Sequence, residues 1–419
     1  MVAECAAVTD RTAALAEAEA RLAAGDAEGA FAALQSEVAG VRDDERVALL
    51  WARLLAHVAD EEALTDELKR FARTWPDHLG IALALAEAAA ACSARQAFDR
   101  PRSPTGLAAL GVLILGRAVD ALDDEAFENT ALSFALHRGL ARVCAEAGPP
   151  FAARAERAFV LALEADATSG PTWLERARFL LRRHDWAAAR ASAREAARRL
   201  PEPGPAWWMV ATASLALGDG PAAIEAWRHA GIAAVPDAAG LPVCGGLEPV
   251  EVQLSTAIPG PRAPLAAGYE AEAVWVQPLS PAHGVVMHPT ALDLPADVSD
   301  VVLYEGSPLG FREVEGRRVP RFAALSVLAQ GPVRTLRYAA DQAPPAPAEV
   351  VIHALGPHHG KLVTRLDDAA LRARLVGLDL VVPALHAGLP TGAGQRRRYA
   401  QLAQLSQPVD LTEEPRESP

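Results

Sequence analysis

The sequence predicts a multidomain chain: an all-α helical solenoid over residues 1–239, followed by a smaller, mostly antiparallel β or α+β domain at 245–385. Three observations predict it. Residues of the same type recur 34 apart between Leu136 and Val235, a period that belongs to stacked helical units. Proline usage changes near Val235: of 32 prolines, 21 lie in residues 240–419, which excludes long helices from much of 240–350. Val250–Ser255 alternates apolar and polar side chains, the period of a half-buried strand.

The first half follows from the repeat. Trp173 and Trp207 are 34 residues apart, as are Pro171 and Pro205, Ala177 and Ala211, Ala189 and Ala223, and Ala196 and Ala230. One further step back falls on Ala155, Phe159 and Ala162, a small–large–small pattern suited to a second helix. In each unit an aromatic opens the first helix and an alanine one turn later lets the paired helix approach. Arg183-His184-Asp185 and Leu217-Gly218-Asp219-Gly220 supply the turns, and Pro201 stops a second helix. The best units are 136–169, 170–203 and 204–234. Weaker ones are expected at about 11–44, where Gly25, Asp26 and Ala30 are in register, and at about 45–78, where Trp51, Ala52 and Pro76 are. The register is irregular over 94–130, with a loop at Asp99–Pro104 and an apolar helix at Gly106–Leu122.

This pattern resembles the tetratricopeptide (TPR) repeat family, over roughly half the chain. The resemblance implies a groove lined by first helices that holds a peptide or partner protein. Some members clamp a C-terminal carboxylate with Lys, Arg and Asn at set first-helix positions. The matching positions here are Leu174 and Arg178, Trp208 and Thr212, and Leu140 and Cys144, without asparagine. The groove is therefore expected to be more apolar than a chaperone-tail clamp. Leu174, Arg178, Arg182, Trp208 and Thr212 are its candidate contacts, with Met209, Leu181 and Leu215 beside them. Arg190, Arg194 and Arg198 lie four apart on a second helix and form a cationic stripe. Such a stripe serves as a solvated face near a helix C-terminus or docks an acidic partner.

In the second half, further strands are expected at Glu272–Gln277, Val301–Glu305, Arg312–Val314, Arg317–Arg321, Val333–Tyr338, Val350–His353 and Leu378–Leu385. A helix is expected at Asp367–Val376. Glu315-Gly316 reads as a two-residue hairpin turn. From Gln401 to Pro419 the tail is polar, acidic and proline-bearing, the composition of a disordered segment.

Composition excludes several classes. The net charge is −13; residues 1–239 carry 34 acidic and 25 basic side chains, residues 240–419 carry 19 and 15. Neither half has the cationic surplus that phosphate-backbone binding requires, so no nucleic-acid partner is expected. Only Lys69 and Lys361 are lysines while arginine is common, a skew of GC-rich genomes. Leu107–Leu115 is too short to span a bilayer, and no basic-then-apolar leader opens the chain, so no membrane partner is expected. Cys5, Cys92, Cys144 and Cys244 lack paired spacing, which fits reduced thiols in the cytoplasm.

Histidines are the candidate metal ligands: His283 and His288 flank one short segment, and His353, His358 and His359 surround the Gly356-Pro357 turn. Asp293, Asp297 and Asp300 can add carboxylates. Cys244, followed by Gly245-Gly246, is a candidate nucleophile without an evident base. Gly392-Ala393-Gly394 before Arg396–Arg398 is a candidate anion nest that lacks the residues of a phosphate loop. No cofactor motif occurs. The leading expectation is a protein-binding adaptor or scaffold. The alternative is an enzyme with a metal-dependent site in 245–385, its protein substrate recruited by the solenoid.

Overall fold

The computed structural model describes residues 2–35, 44–58, 60–99, 106–122, 130–260, 270–340, 342, 344–376, 378 and 380–386. Helices fill the first half and sheets the second. The chain divides into two compact units. One is Met1–Leu217 with Glu225–Gly231; the other is Gly218–Ile224 with the chain from Ile232.

The described helices of the first half come in six pairs. They are α1 (Val2–Ala23) and α2 (Ala27–Gln35), α3 (Glu45–Val58) and α4 (Glu61–Thr74), and α5 (Leu79–Asp99) and α6 (Gly106–Asp120). Next are α7 (Thr130–Ala147) and α8 (Ala152–Ala165), α9 (Gly170–Arg182) and α10 (Trp186–Arg199), and α11 (Gly204–Ala216) and α12 (Gly220–His229). Each first helix touches the first helix of the next pair: α1 with α3, α3 with α5, α5 with α7, α7 with α9 and α9 with α11.

Local chemistry sets the ends. The carboxylates of Asp60 and Asp185 accept backbone amides at the starts of α4 and α10, and Pro171 and Pro205 sit in the first turns of α9 and α11. His184 takes φ +63° in the turn before Asp185. The 34-residue matches fall where the packing needs small residues: Ala177, Ala189, Ala196, Ala211 and Ala223 are fully buried. Trp173 opens α9 between the Arg176 and Arg199 guanidiniums, at 5.9 and 5.5 Å from its ring. Trp207 opens α11, stacked on His229 at 4.3 Å. Ala230 departs from the expectation: α12 ends at His229, so Ala230 lies past the helix and is half-buried. At Gly111 a Cβ would stand 2.9 Å from both Ala89 Cβ and Val143 Cγ2, so α6 lies closer to α5 and α7 than any side chain allows.

Twelve strands follow among the described residues. β1 (Val235–Pro236) and β2 (Pro242–Val243) form a two-residue ladder with no counterpart among the expected strands. β3 (Val250–Ser255), β4 (Ala271–Ser280), β5 (His283–Val286), β6 (Val301–Tyr304) and β8 (Arg317–Ala329) pair in that order. β8 then pairs in parallel with β3, Glu251 to Arg321 through Gln253 to Ala323, and closes a five-stranded barrel. β7 (Gly310–Val314) joins β8 through Glu315 and Gly316. Both turn residues have positive φ, 51° and 76°, as a twisted two-residue hairpin demands. Val252, Leu254, Val276, Val286, Val302 and Tyr304 fill the barrel.

A second sheet has the order β10 (Val350–Ala354), β11 (His359–Thr364), β9 (Arg334–Ala340), β12 (Leu380–Val381). Leu371 of α13 (Asp368–Leu375) joins its core with Tyr338, Leu362 and Val382. The strand expected over Leu378–Leu385 is corrected: only Leu380 and Val381 pair with β9, and α14 (Pro383–His386) follows. Pro383 has no amide proton and cannot extend the ladder. No described helix is long and apolar enough to cross a membrane. The tail expected to be disordered, 401–419, and the Gly392–Arg398 nest lie outside the described residues.

Candidate functional site

A cavity of about 380 Å³ opens in the helical unit, where three consecutive first helices meet. α5 contributes Ala90, Ala91 and Ala94; α7 contributes Arg142, Ala145 and Glu146; α9 contributes Glu175, Arg178, Phe179 and Arg182. Arg183 follows α9, and Ala152 and Phe159 of α8 close one side. Alanines leave the space, because longer side chains at those positions would fill it. Phe159 and Phe179 pack at 5.6 Å and Arg183 lies 5.5 Å from the Phe179 ring, so the far wall is aromatic and capped by a cation.

Ion pairs fix the cationic side chains in place. Arg138 donates to both carboxylate oxygens of Glu175 at 2.7 and 2.9 Å. Arg142 reaches Glu87 at 3.2 Å and Glu175 at 3.7 Å, and Arg182 donates to Glu146 at 3.0 Å. The Glu175 hydrogen bond raises the Arg138 pKa further. Among the described lining residues there is no His, Cys, Ser, Thr, Lys or Asp, and both glutamates are held by arginines. The wall offers no nucleophile and no unengaged general base.

The expected groove contacts divide. Arg178 and Arg182 line this cavity, and Leu174 is half-buried on the same helix. Trp208 lies elsewhere, edge-on to Trp227 at 5.0 Å, with its indole nitrogen buried and lacking a hydrogen-bond acceptor. Thr212 is corrected: it is 1% exposed and its hydroxyl donates to the Trp208 carbonyl, so it offers no surface to a partner. Met209, Leu181 and Leu215 are core residues as well. So are Leu140 and Cys144, with burial lifting the Cys144 thiol to about 12. Arg142, Ala145, Glu146, Glu175 and Arg183 were missed. In the stripe, Arg194 is exposed, Arg190 is half-buried, and Arg198 pairs with Glu195, which also takes Arg199.

The histidines of the sheet unit do not converge. His283 is fully buried at the start of β5, its Nδ1 2.6 Å from Ser280 Oγ and its Nε2 without a hydrogen-bond partner. Burial pushes it down to about 4, so it stays neutral. His288 is exposed beside Trp275, Met287 and Arg317 in a shallow groove of about 400 Å³. His353, His358 and His359 belong to the β10–β11 hairpin of the other sheet. Among the described residues no group of three or more His, Cys, Asp or Glu is placed to hold a metal ion. The carboxylates have other work. Asp297 takes the Lys361 ammonium at 2.7 Å and Arg337 pairs with Asp293 at 2.5 Å. Asp300 accepts the amides of Asp297 and Gly331. Cys244 is buried, which raises its thiol, so it is no thiolate nucleophile.

No protein-family model matches the chain, and no curated protein matches its sequence. The candidate site rests on its own geometry.

Proposed function

We propose that this chain is a protein-binding adaptor or scaffold whose helical half is a TPR-type solenoid. The observation that carries the reading is the cavity between α5, α7 and α9, lined by three successive first helices and with no Ser, Cys, Thr, His or Lys among its described lining residues. The continuous contact between first helices, pair after pair, supports the solenoid. The in-register Trp173 and Trp207, each opening a first helix, support the TPR assignment. The sheet half supplies a second contact surface, and the cytoplasm is its working compartment.

Affinity capture from native lysate tests this with the intact chain and with the double variant Arg178→Glu, Arg182→Glu. The expected outcome is a saturable set of proteins retained by the wild type and lost by a variant whose circular dichroism is unchanged. A folded variant that keeps every partner removes the cavity from the recognition surface.

A further inference from the structure

The sheet half leaves one strand edge bare among the described residues. The Leu355 amide donates to the His359 carbonyl, and the Ala340 amide to the His358 carbonyl. Bonded and unbonded pairs alternate along antiparallel strands. With Ala354 opposite Gly360 and His359 opposite Ala339, the amides of Val351 and His353 therefore turn toward β11. Those of Val350, Ile352 and Ala354 turn away from it. The Val350 amide donates to the Pro347 carbonyl at 3.2 Å. The Ile352 and Ala354 amides, and the carbonyls of Val350, Ile352 and Ala354, face no described strand.

The other edges are blunted. β1 and β2 are two residues long and each holds a proline. β7 carries the exposed Arg312 and Glu313, and β12 is two residues long with Pro383 close behind. Short strands, prolines and charges are the usual means of keeping an edge from pairing. β10 has none of them. Val350-Val351-Ile352-His353-Ala354 contains no Asp, Glu, Lys, Arg or Pro, three of its five residues are β-branched, and Val351 is 63% exposed.

We propose that β10 pairs antiparallel with β10 of a second copy of this chain, about a two-fold axis at Ile352, and joins two four-stranded sheets into one of eight strands. A two-fold contact needs a patch complementary to itself. The bare groups meet that need: each Ile352 amide donates to the Ile352 carbonyl of the other copy, and each Ala354 amide to the other copy's Val350 carbonyl. The Val350 amide, already engaged by Pro347, is not called upon. On one face Val351 then stands opposite His353; on the other Ile352 meets Ile352 and Val350 meets Ala354. No pair sets two carboxylates or two guanidiniums against each other, which would oppose the pairing. The inference concerns the sheet half and stands apart from the adaptor reading.

The test is sedimentation velocity of the intact protein from 2 to 200 µM, paired with hydrogen exchange read by mass spectrometry at both ends of that range. The expected result is a reversible monomer–dimer equilibrium, with protection gained in 350–354 at the higher concentration. Ala354→Pro removes an outward amide at an exposed position and leaves the bonds to β11 intact. Val351→Lys puts a charge on the edge. Each should weaken the dimer at least 10-fold with unchanged circular dichroism. Val376→Lys, at an exposed apolar residue just past α13, should leave it unchanged. A monomer throughout the range overturns the proposal, whatever other strand the edge then takes. A dimer that keeps its affinity in both β10 variants, or gains no protection in 350–354, places the contact elsewhere and overturns it too. Equal weakening by Val376→Lys does the same, because it assigns the association to apolar surface in general. Lysate capture reports on the adaptor reading independently of each of these results.

Discussion

The helical half and the sheet half bury different chemistry. Among the described residues, the buried polar side chains of the helical half are uncharged or weakly polar: Ser93, His137, Thr172, Ser192, Thr212 and Ser214. The sheet half buries Glu251, Asp297, Asp300, Glu305 and Lys361. The contrast follows from backbone bookkeeping. A helix satisfies its own amides, so alanine suffices where helices cross. A short strand followed by a long loop leaves amides with no ladder, and buried carboxylates accept them. Asp297 takes the amides of Thr290 and Val298 and Asp300 those of Asp297 and Gly331, while the half-buried Glu272 takes those of Ala291 and Leu292. Lys361 then neutralises Asp297 and donates to Thr290 Oγ1 and the Leu292 carbonyl, which ties the 287–300 loop to β11. Burial alone would raise the Asp297 carboxyl; the Lys361 charge and these amides outweigh it and hold it below the usual range.

The largest effect should come from breaking that clasp. Lys361→Met leaves Asp297 buried without its cation, and loss of one partner of a buried pair costs about 3–5 kcal/mol. Hydrogen exchange read by mass spectrometry should show protection lost across β9, β11 and the 287–300 loop, with α7–α11 unchanged. Equal loss in both halves would erase the comparison. Adding Asp297→Leu should restore part of the stability, because no unpaired charge then remains.

Next comes pH. His283 is held down to about 4 by burial, whereas an unfolded histidine protonates near pH 6.5. The unfolded state therefore binds the proton first on acidification. Stability is full above about pH 6.5 and falls as the pH drops toward 4, by about 3 kcal/mol in all. Urea unfolding of the sheet half at pH 7, 5.5 and 4.5 should show this, and His283→Leu should remove that share of the slope. An unchanged slope in the variant would place the sensitivity elsewhere.

The smallest effect belongs to the helices. Asp185→Ala removes the carboxylate that accepts the Ala188 amide at the start of α10, at a cost of about 1 kcal/mol. A shift in the melting midpoint at 222 nm measures it. Asp185→Asn should recover most of the loss.

The legibility of the sequence differed between the halves for a related reason. The 34-residue period was visible where connections have constant length: α9 begins at Gly170 and α11 at Gly204. It vanished where they do not, since α5 begins at Leu79 and α7 at Thr130, 51 residues later, although the helix pairs continue. That drift explains the missed half of the cavity. Stepping back 34 residues from Leu174 and Arg178 lands on Leu140 and Cys144, which face the core, while Arg142 and Glu146 face the cavity. Of the expected contacts, only Arg178 and Arg182 on α9, inside the regular stretch, line the cavity. In the second half, strands with clear alternation such as β3 were legible. β5 and β11 were not, because Gly284 and Gly360 interrupt short strands that lack a clear alternation of apolar and polar side chains.

The clasp also has a use at the bench. Only two lysines exist in the chain, and they differ sharply: the Lys69 side chain is 56% exposed, the Lys361 side chain 3%. An amine-directed reagent applied to the folded protein should acylate Lys69 and spare Lys361, so a fluorophore can be attached to α4 without engineering. Modification at Lys361, read by peptide mass, becomes a clock for each opening of the sheet half.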